Sequence, residues 1–332
     1  MTDNILVSVC TPTFNRRPFI EMMFQCFRNQ TYPKSMIEWI IVDDGTDKIQ
    51  DLVDTSNIPQ IKYFPIEQKM KLGQKRNFMH SKTSGSIIVY MDDDDYYPPE
   101  RIQHSVYMLT VNKSVMCAGS SELYIYFDHI QKMYKSGPFG PNHATAGTFA
   151  FRRELLLTCK YDDNVSLAEE KVFLKDFTIP MVQLDPLKTI LVFSHIHNTF
   201  DKRILLNHVN QQLIKESPRT ITDFIRKPEE QMILDFFTKN LDNKLNNYKP
   251  GNPEMKPDVM IQLKQMDEER KKMIDQSTQI MIETPGKTGR PMTMPEIVKT
   301  LSQQQEYIKL LTAKVKYLES QISQSKIAHT QP

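Results

Sequence analysis

Residues 84–102, SGSIIVYMDDDDYYPPERI, join a short apolar run to four consecutive carboxylates, Asp92 to Asp95. The apolar run is typical of a buried β-strand, and the tyrosines and prolines after the carboxylates indicate a fixed turn before a helix. Four adjacent negative charges repel one another, so we expect a positive group beside them. This unit of strand, acidic turn and helix predicts one edge of an α/β sheet that binds a cation.

The first 110 residues alternate between strand and helix patterns on both sides of this unit. Such alternation implies right-handed β-α-β crossovers and a largely parallel sheet, in which ligands bind beyond the carboxyl ends of the strands. The predicted strands cover residues 5–12, 37–45, 61–66 and 86–91, and the predicted helices cover 18–30, 72–85 and 98–112, the second of them closed by Gly85.

Later residues change in character. Residues 115–151 alternate like antiparallel strands, two helical stretches follow at 152–160 and 167–177, and 180–200 contain one or two closing strands. Beyond Pro218 the pattern is helical and polar, and 249–295 have a linker-like composition apart from a helix at 258–274. We therefore predict three regions: an α/β domain at 1–217, a helical extension and linker at 218–295, and a coiled coil at 296–328.

The coiled-coil prediction rests on a heptad repeat in the tail. Position a carries Leu301, Ile308, Val315 and Ile322, while Leu311, Leu318 and the polar Gln304 occupy position d. β-branched residues at a with leucine at d favour a parallel dimer, and a buried polar residue fixes its alignment. The pattern predicts a homodimer or another homo-oligomer. The alternative is an amphipathic helix that packs on its own domain.

Composition excludes several classes of protein. The 332 residues carry a net charge of only +2, which gives no electrostatic case for nucleic-acid binding. No apolar run approaches the ~20 residues that span a membrane, and the N-terminus lacks the basic start of a secretory signal. Four widely spaced cysteines indicate buried thiols in a reducing compartment. We expect a cytoplasmic protein, and few glycines with many Met, Lys and Asn residues are typical of AT-rich genomes, including viral ones.

Two acidic turns and one basic motif carry the chemistry. Asp92 to Asp95 offer hard oxygen ligands, which Mg²⁺ and Mn²⁺ prefer. Asp43 and Asp44 end the second strand; they form either an ordinary Asp-Asp-Gly turn or a contact to a nucleotide base or ribose. In the segment KMKLGQKRN, Arg76 is the candidate bidentate partner for a phosphate or for the acidic cluster.

Taken together, these motifs resemble the family 2 glycosyltransferases with the GT-A fold, which is Rossmann-like. The segments VSVCTPTFNR, WIIVDDGT, GQKRN, VYMDDDDYYPPERI, GTFAFRREL and LAEEKVFL occur in the family's order over about residues 4–200. The resemblance implies inverting transfer of a sugar from a nucleoside diphosphate sugar, most commonly a UDP-sugar, to an acceptor hydroxyl of a glycan or protein, with Mn²⁺ or Mg²⁺ bound.

The resemblance also implies roles for individual residues. The nucleotide-binding positions are the first-strand loop (Pro12, Thr13, Phe14 and Arg16), the base-reading pair Asp43 and Asp44, the diphosphate-side Arg76, and the first acidic positions Asp92 and Asp93. The Asp-x-Asp motif maps to Asp92, near the ribose, and Asp94, the metal ligand. The surplus carboxylates Asp93 and Asp95 leave this alignment open by one residue.

A catalytic base and a further metal ligand complete the set implied by the resemblance. The family presents Glu-Asp at a helix start, where this chain has Glu169 and Glu170, and Glu170 holds the position of the base. A histidine near the end of the domain often completes the metal site, so His195 or His197 is expected there, with His195 preferred.

Two other functions fit parts of the pattern. A nucleotidyltransferase acting on a sugar phosphate also pairs aspartates with a metal, but its glycine-rich phosphate loop has no counterpart in TPTFNRR. A non-catalytic scaffold would use the coiled coil alone. The intact set of Asp44, Arg76, Asp94 and Glu170 argues against that alternative.

Overall fold

The fold is described from a computed structural model. It describes residues 5–207, 214–226, 228–277, 281–284, 287–292 and 294–328. The chain divides into two compact units, Met1–Leu263 and Lys264–Pro332. The predicted boundaries at 217, 295 and 328 stay predictions.

A seven-stranded sheet forms the centre of the first unit. Its strand order is β3-β2-β1-β4-β8-β5-β9, and the first four strands in this order pair in parallel. β8 is antiparallel to both β4 and β5. The strands are β1 (Val7–Thr13), β2 (Ile37–Asp43), β3 (Ile61–Pro65), β4 (Ile87–Tyr90), β5 (Cys117–Gly119), β8 (Ala150–Arg152) and β9 (Met181–Gln183).

A second sheet of four strands has the order β10-β6-β7-β11. β6 pairs antiparallel with β7 and β7 with β11, whereas β10 runs parallel to β6. The strands are β6 (Leu123–Phe127), β7 (Lys132–Ser136), β10 (Leu191–Ser194) and β11 (Ile214–Glu216). The predicted α/β class, with a mostly parallel central sheet and a smaller antiparallel part, is confirmed.

The three predicted crossover helices lie close to their expected positions, with shorter ends, and a further short helix between β2 and β3 was not predicted. Proline at the first helical positions opens a 3₁₀ turn (Arg17–Phe19) before α1, as its fixed φ allows. The helices of the first half are α1 (Ile20–Arg28), α2 (Gln50–Thr55), α3 (Leu72–Lys82) and α4 (Arg101–Val111).

One detail of the helix predictions is wrong, and two of the predicted helical stretches are present but shorter. α3 ends before Thr83, not at Gly85; a Cβ at Gly85 would lie 2.6 Å from the Ser8 backbone nitrogen, so close approach to β1 explains this glycine. The stretch 152–160 forms a 3₁₀ helix at Arg153–Leu157. The stretch 167–177 contains only α5 (Glu170–Phe173).

Apolar side chains cover both faces of the central sheet. β1, β2 and β4 are buried along almost their whole length, which suits strands with helices on both sides. The Trp39 ring stacks on Phe27, with ring centroids 4.2 Å apart. The four cysteines are free and buried, as predicted: Cys10, Cys26, Cys117 and Cys159.

Short helices complete the first unit, and the second unit is mainly helical. The elements are α6 (Ile204–Asn207), α7 (Gln231–Asp235), a π-helical turn (Phe236–Asn240), α8 (Leu241–Asn246), α9 (Pro257–Ser277), the hairpin strands β12 (Met281–Thr284) and β13 (Lys287–Pro291), and α10 (Met294–Ala328). Among the described helices, none is long and apolar enough to cross a membrane. The heptad prediction falls on α10, and the side chain of Ile322 lies outside the described residues.

Candidate functional site

A cavity of about 180 Å³ opens beside the carboxyl ends of β1 and β4. Its lining includes an acidic wall, formed by Asp92, Asp93 and Asp94, and several lysine and arginine side chains. Of the predicted nucleotide-binding residues, the cavity is lined by Pro12, Thr13, Phe14, Arg16, Arg76, Asp92 and Asp93. Parallel strands thus bring together side chains that are as far apart in the sequence as Pro12 and Asp93.

The positive group expected beside the acidic run is Arg16. Its guanidinium lies 3.3 Å from an oxygen of Asp94 and 3.7 Å from one of Asp93, and all three side chains are largely buried. It also donates to the backbone carbonyls of His197 (2.7 Å) and Gly251 (3.4 Å). Arg16 therefore offsets the like charges of the turn from within the protein.

The outer aspartates of the run are held differently. Asp95 accepts a hydrogen bond from the backbone N–H of Phe193, at the edge of the second sheet. Asp92 lies against Gly147, where a Cβ would approach its Oδ2 to 2.6 Å, so glycine is required for this contact. The other oxygen of Asp92, Oδ1, is buried and has no hydrogen-bond partner among the described residues. This oxygen is available to a ligand.

Burial and mutual repulsion separate the four carboxylates by acidity. Burial raises the pKa of Asp92 and Asp95, and burial with the charge of Asp94 raises the pKa of Asp93 to about 7. At Asp94 burial acts in the same direction, but Arg16 and His195 outweigh it and lower its pKa. Asp94 is thus the member of the run that stays ionised most readily.

The donor set around Asp94 suits a divalent metal. His195 Nε2 lies 3.4 Å from Asp94 Oδ2 and 2.8 Å from Asn198 Nδ2, and burial lowers the pKa of His195 to about 4, so the imidazole is neutral. No group of three His, Cys, Asp or Glu residues in the described part of the chain is arranged to hold a metal. Asp94 and His195 nevertheless offer donor types that divalent metals bind, and Mg²⁺ takes most of its remaining ligands from phosphate and water.

His197 is placed differently from His195. Its backbone carbonyl binds Arg16, and its ring lies against Gly251, where a Cβ would approach Nδ1 to 2.5 Å. Burial, followed by the charge of Arg16, lowers the pKa of His197 to about 4. The structure thus brings His195 to the acidic run and packs His197 against the segment around Gly251.

The turn after β2 is fully hydrogen-bonded. Asp43 accepts from the backbone N–H groups of Gly45 (2.9 Å) and Ile49 (3.1 Å) and from the Tyr63 hydroxyl (2.7 Å). These contacts fit the ordinary-turn alternative for Asp43.

Asp44 beside it binds the buried ammonium group of Lys75 and accepts from the backbone N–H of Met70 (2.6 Å). Lys75 also donates to the Thr13 carbonyl (3.0 Å). Lys75 was not among the residues predicted from the sequence. The available signal was its position directly before the candidate Arg76 on α3, because two neighbouring residues of a helix can line the same cavity.

The two glutamates at the start of α5 have different surroundings. Glu169 is buried and accepts a 2.7 Å hydrogen bond from Arg76 Nε, while the Arg76 guanidinium lies 4.5 Å from the Tyr90 ring centroid. Glu170 is less buried, and burial with the charge of Glu169 raises its pKa to about 7. Arg76 Nη1 is buried without a hydrogen-bond partner among the described residues. Arg76 therefore joins the glutamates to the cavity.

One whole segment of the site was not predicted from the sequence. Residues 248–262, here called the strap, have only a linker-like composition up to the start of α9, yet Lys256, Asp258 and Val259 line the cavity. Burial, followed by the charge of Arg16, lowers the pKa of Lys256 to about 7. No pattern in the strap itself indicated this placement, since it depends on tertiary contacts.

The sequence model of the glycosyl transferase family 2 matches residues 8–158. Among curated proteins, the chain is 27% identical to an uncharacterized glycosyltransferase of Haemophilus influenzae over 35% of the chain and 46% of that protein. It is 28% identical to the poly(ribitol-phosphate) beta-N-acetylglucosaminyltransferase TarS of Staphylococcus aureus over 29% of the chain and 17% of TarS.

A further relative is the putative colanic acid biosynthesis glycosyl transferase WcaA of Escherichia coli, 31% identical over 31% of the chain and 37% of WcaA. The matches span less than half the length of these three curated relatives.

Among solved structures, S. aureus TarS 1–349 aligns with 57% of the chain and 61% of its own at 20% identity and a TM-score of 0.44. The mannosyltransferase PcManGT of Pyrobaculum calidifontis aligns with 57% and 56% at 18% identity and 0.46. Residues 8–158 thus match the glycosyl transferase family 2 model, and they lie in an α/β domain with a mostly parallel central sheet.

Proposed function

We propose that the protein transfers a sugar, with inversion, from a nucleoside diphosphate sugar to an acceptor hydroxyl in the presence of a divalent metal. The observation that carries the proposal is the cavity at the sheet edge, whose lining combines an acidic wall with several lysine and arginine side chains. A metal-bound diphosphate has the charge pattern complementary to such walls. A UDP-sugar is the favoured donor, because the family resemblance implies it most often.

Glu170 is the proposed base. It would take the proton of the acceptor hydroxyl while that oxygen attacks the anomeric carbon and the bond from this carbon to the diphosphate oxygen breaks. Glu169 is committed to Arg76 at 2.7 Å, whereas the carboxylate of Glu170 has no such partner in the described part of the chain. A pKa near 7 suits a group that must accept a proton at neutral pH.

Asp94 and His195, with Asp92, would hold the metal. When bound, the metal supplies positive charge to the departing diphosphate. Asp44 and Lys75 would lie on the nucleotide side of the cavity, as a fixed charge pair beside the first-strand loop. Arg76, with an unpartnered guanidinium nitrogen, offers the diphosphate a hydrogen-bond donor.

Turnover of a donor panel tests this function. Purified full-length protein should release nucleoside diphosphate from at least one UDP- or GDP-sugar with Mn²⁺, and chelation by EDTA should abolish the release. Arg17→Ala is a suitable control, since Arg17 pairs with Asp47 and Asp51 and does not line the cavity. Absence of turnover and of nucleotide binding across the panel would contradict the proposed function.

We further propose that α10 joins two copies of the chain. Leu301, Ile308, Leu311, Val315 and Leu318 are each about half exposed or more, so the heptad stripe is uncovered in the single chain. A double change, Ile308→Glu with Leu311→Glu, should convert a dimer into a monomer by light scattering and leave donor turnover unchanged. A full-length protein that is already monomeric would contradict this proposal.

A further inference from the structure

Hydrogen bonds fasten the strap to the first-strand loop at one end. Asn15 donates to the Pro250 carbonyl at 2.8 Å, and Arg16 donates to the Gly251 carbonyl at 3.4 Å. Gly251 is pressed against the same loop: a Cβ there would lie 3.0 Å from the Asn15 carbonyl. This end of the strap is therefore tied to the residue that offsets the acidic run.

The other end of the strap is fastened to the segment that leads into Glu169 and Glu170. Asp258, in the first turn of α9, binds Lys69 (2.6 Å) and the Ser166 hydroxyl (2.7 Å). One turn later, Gln262 accepts from the Ser166 backbone N–H and donates to the Leu167 carbonyl. The strap thus crosses the cavity from the nucleotide loop to the carboxylate segment.

Lys256 lies between these two attachments. Its ammonium group, with those of Lys69 and Lys75, surrounds the ring of Phe14, at 5.4 to 5.9 Å from the centroid. Lys69 is paired with Asp258, and Lys75 with Asp44. For Lys256, the described residues offer one hydrogen-bond acceptor, the Thr199 hydroxyl at 3.0 Å, and no carboxylate within ion-pair distance.

An ammonium group has three donors, so two of them on Lys256 are left for a ligand. The neighbouring acidic wall would carry the metal, and the diphosphate bound to that metal would bring negative charge beside Lys256. We propose that Lys256 binds the diphosphate of the nucleotide donor, so that the strap, which lies outside the segment matched by the family, completes the donor site. This inference rests on the proposed function.

The test uses full-length protein and calorimetric titration with UDP, GDP and uridine, each with Mn²⁺ present. Lys256→Met should weaken binding of the preferred nucleoside diphosphate by about 10- to 100-fold, the usual worth of a charged hydrogen bond. Lys256→Arg should restore most of this affinity, because it keeps the charge. Any affinity for uridine, which has no phosphate, should be equal in all variants.

Lys249→Met is the matched control, because Lys249 is an exposed lysine of the same strap and does not line the cavity. It should bind like the unchanged protein. Equal diphosphate affinity of Lys256→Met and the unchanged protein would overturn the role of Lys256 alone. An equal loss in Lys256→Met and Lys256→Arg would also overturn it, since the loss would then follow shape, not charge. If the unchanged protein binds neither diphosphate, both this inference and the proposed function are overturned.

Discussion

The two acidic turns at the carboxyl edge of the sheet differ in how their oxygens are used. In the turn after β2, all four oxygens of Asp43 and Asp44 accept from backbone, hydroxyl or ammonium groups. In the turn after β4, Asp92 keeps a buried oxygen without a partner among the described residues, and Arg16 offsets the charge at longer distances. The first turn is complete as it stands, whereas the second has capacity for a ligand.

Glu169 and Glu170 show the same contrast between a carboxylate with a partner and one without an equivalent partner in the described residues. Glu169 is bound to Arg76, and Glu170 has a raised pKa and no equivalent partner in the described residues. A buried carboxylate that is fully hydrogen-bonded contributes to the fold, and one that is not is a candidate for chemistry. Four measurements test how far this distinction holds.

The largest expected effect is on donor turnover in Asp94→Ala. Loss of the carboxylate that stays ionised should remove metal-dependent turnover, by about 10⁴-fold, because the metal supplies several kcal/mol to the transition state. Because Asp94 also pairs with the buried Arg16, the melting temperature should fall, and the assay is run below the melting temperature of the variant. Asp93→Ala is the neighbouring control; if it is inactive and Asp94→Ala is active, the Asp-x-Asp alignment is shifted by one residue.

Glu170→Gln should reduce transfer to an acceptor by about 10³-fold, within the usual range for loss of a general base. Nucleotide affinity should be unchanged, since Gln keeps the size of the side chain. Glu169→Gln sharpens the contrast, because it weakens the contact with Arg76 and should reduce melting temperature more than transfer. Full transfer in Glu170→Gln would exclude this residue as the base.

The turn after β2 should matter more for stability than the turn after β4, which is the reverse of the order expected for activity. Asp44→Ala leaves the buried Lys75 ammonium without its carboxylate, and the free energy of unfolding should fall by about 3 kcal/mol. Asp92→Asn removes one of the four neighbouring carboxylates, and the free energy of unfolding should change by no more than about 1 kcal/mol. Urea denaturation measures both. Equal losses would mean that the two turns are structurally equivalent.

The smallest expected effect is on the pH profile. Burial and Glu169 raise the pKa of Glu170 to about 7, and a base acts only when it is ionised. Transfer should therefore increase as the pH rises through 7. At pH 6 the transfer rate should be about tenfold below its plateau, because a single group with a pKa of about 7 is then only about one-tenth ionised. Rates at constant ionic strength and saturating donor test this. A profile that is flat between pH 6 and 8 would exclude Glu170 titrating near 7 as the base.

The local sequence pattern was sufficient to predict the main strands and helices and the acidic side of the site. The apolar runs predicted β1, β2 and β4 to within a few residues, and parallel order then placed Asp44 and Asp92 to Asp95 at one edge. The acidic run also predicted a positive neighbour. That this neighbour is Arg16 could not be derived, because the distance between a loop at residue 16 and a turn at residue 94 is set by tertiary packing.

The pairing of Glu169 with Arg76 and the placement of the strap were beyond the sequence for the same reason. Residues 93 positions apart meet across α3 and α5, and no periodicity records such a contact. Lys256 lies in a stretch of prolines, lysines and asparagine that is typical of a linker, and Asp258 opens the predicted helix at 258–274. Composition describes a segment by itself, whereas the placement of the strap depends on its contacts with Asn15, Arg16 and Ser166.

The attachment of the strap sets where this protein can be divided. A chimera that joined residues 1–217 to the extension of a relative would cut the bonds from Asn15 and Arg16 to Pro250 and Gly251 and those from Ser166 to Asp258 and Gln262. A junction after Leu263 keeps all of them in one piece. Exchange of donor specificity between relatives would then require moving the strap together with the sheet edge, as a single cassette.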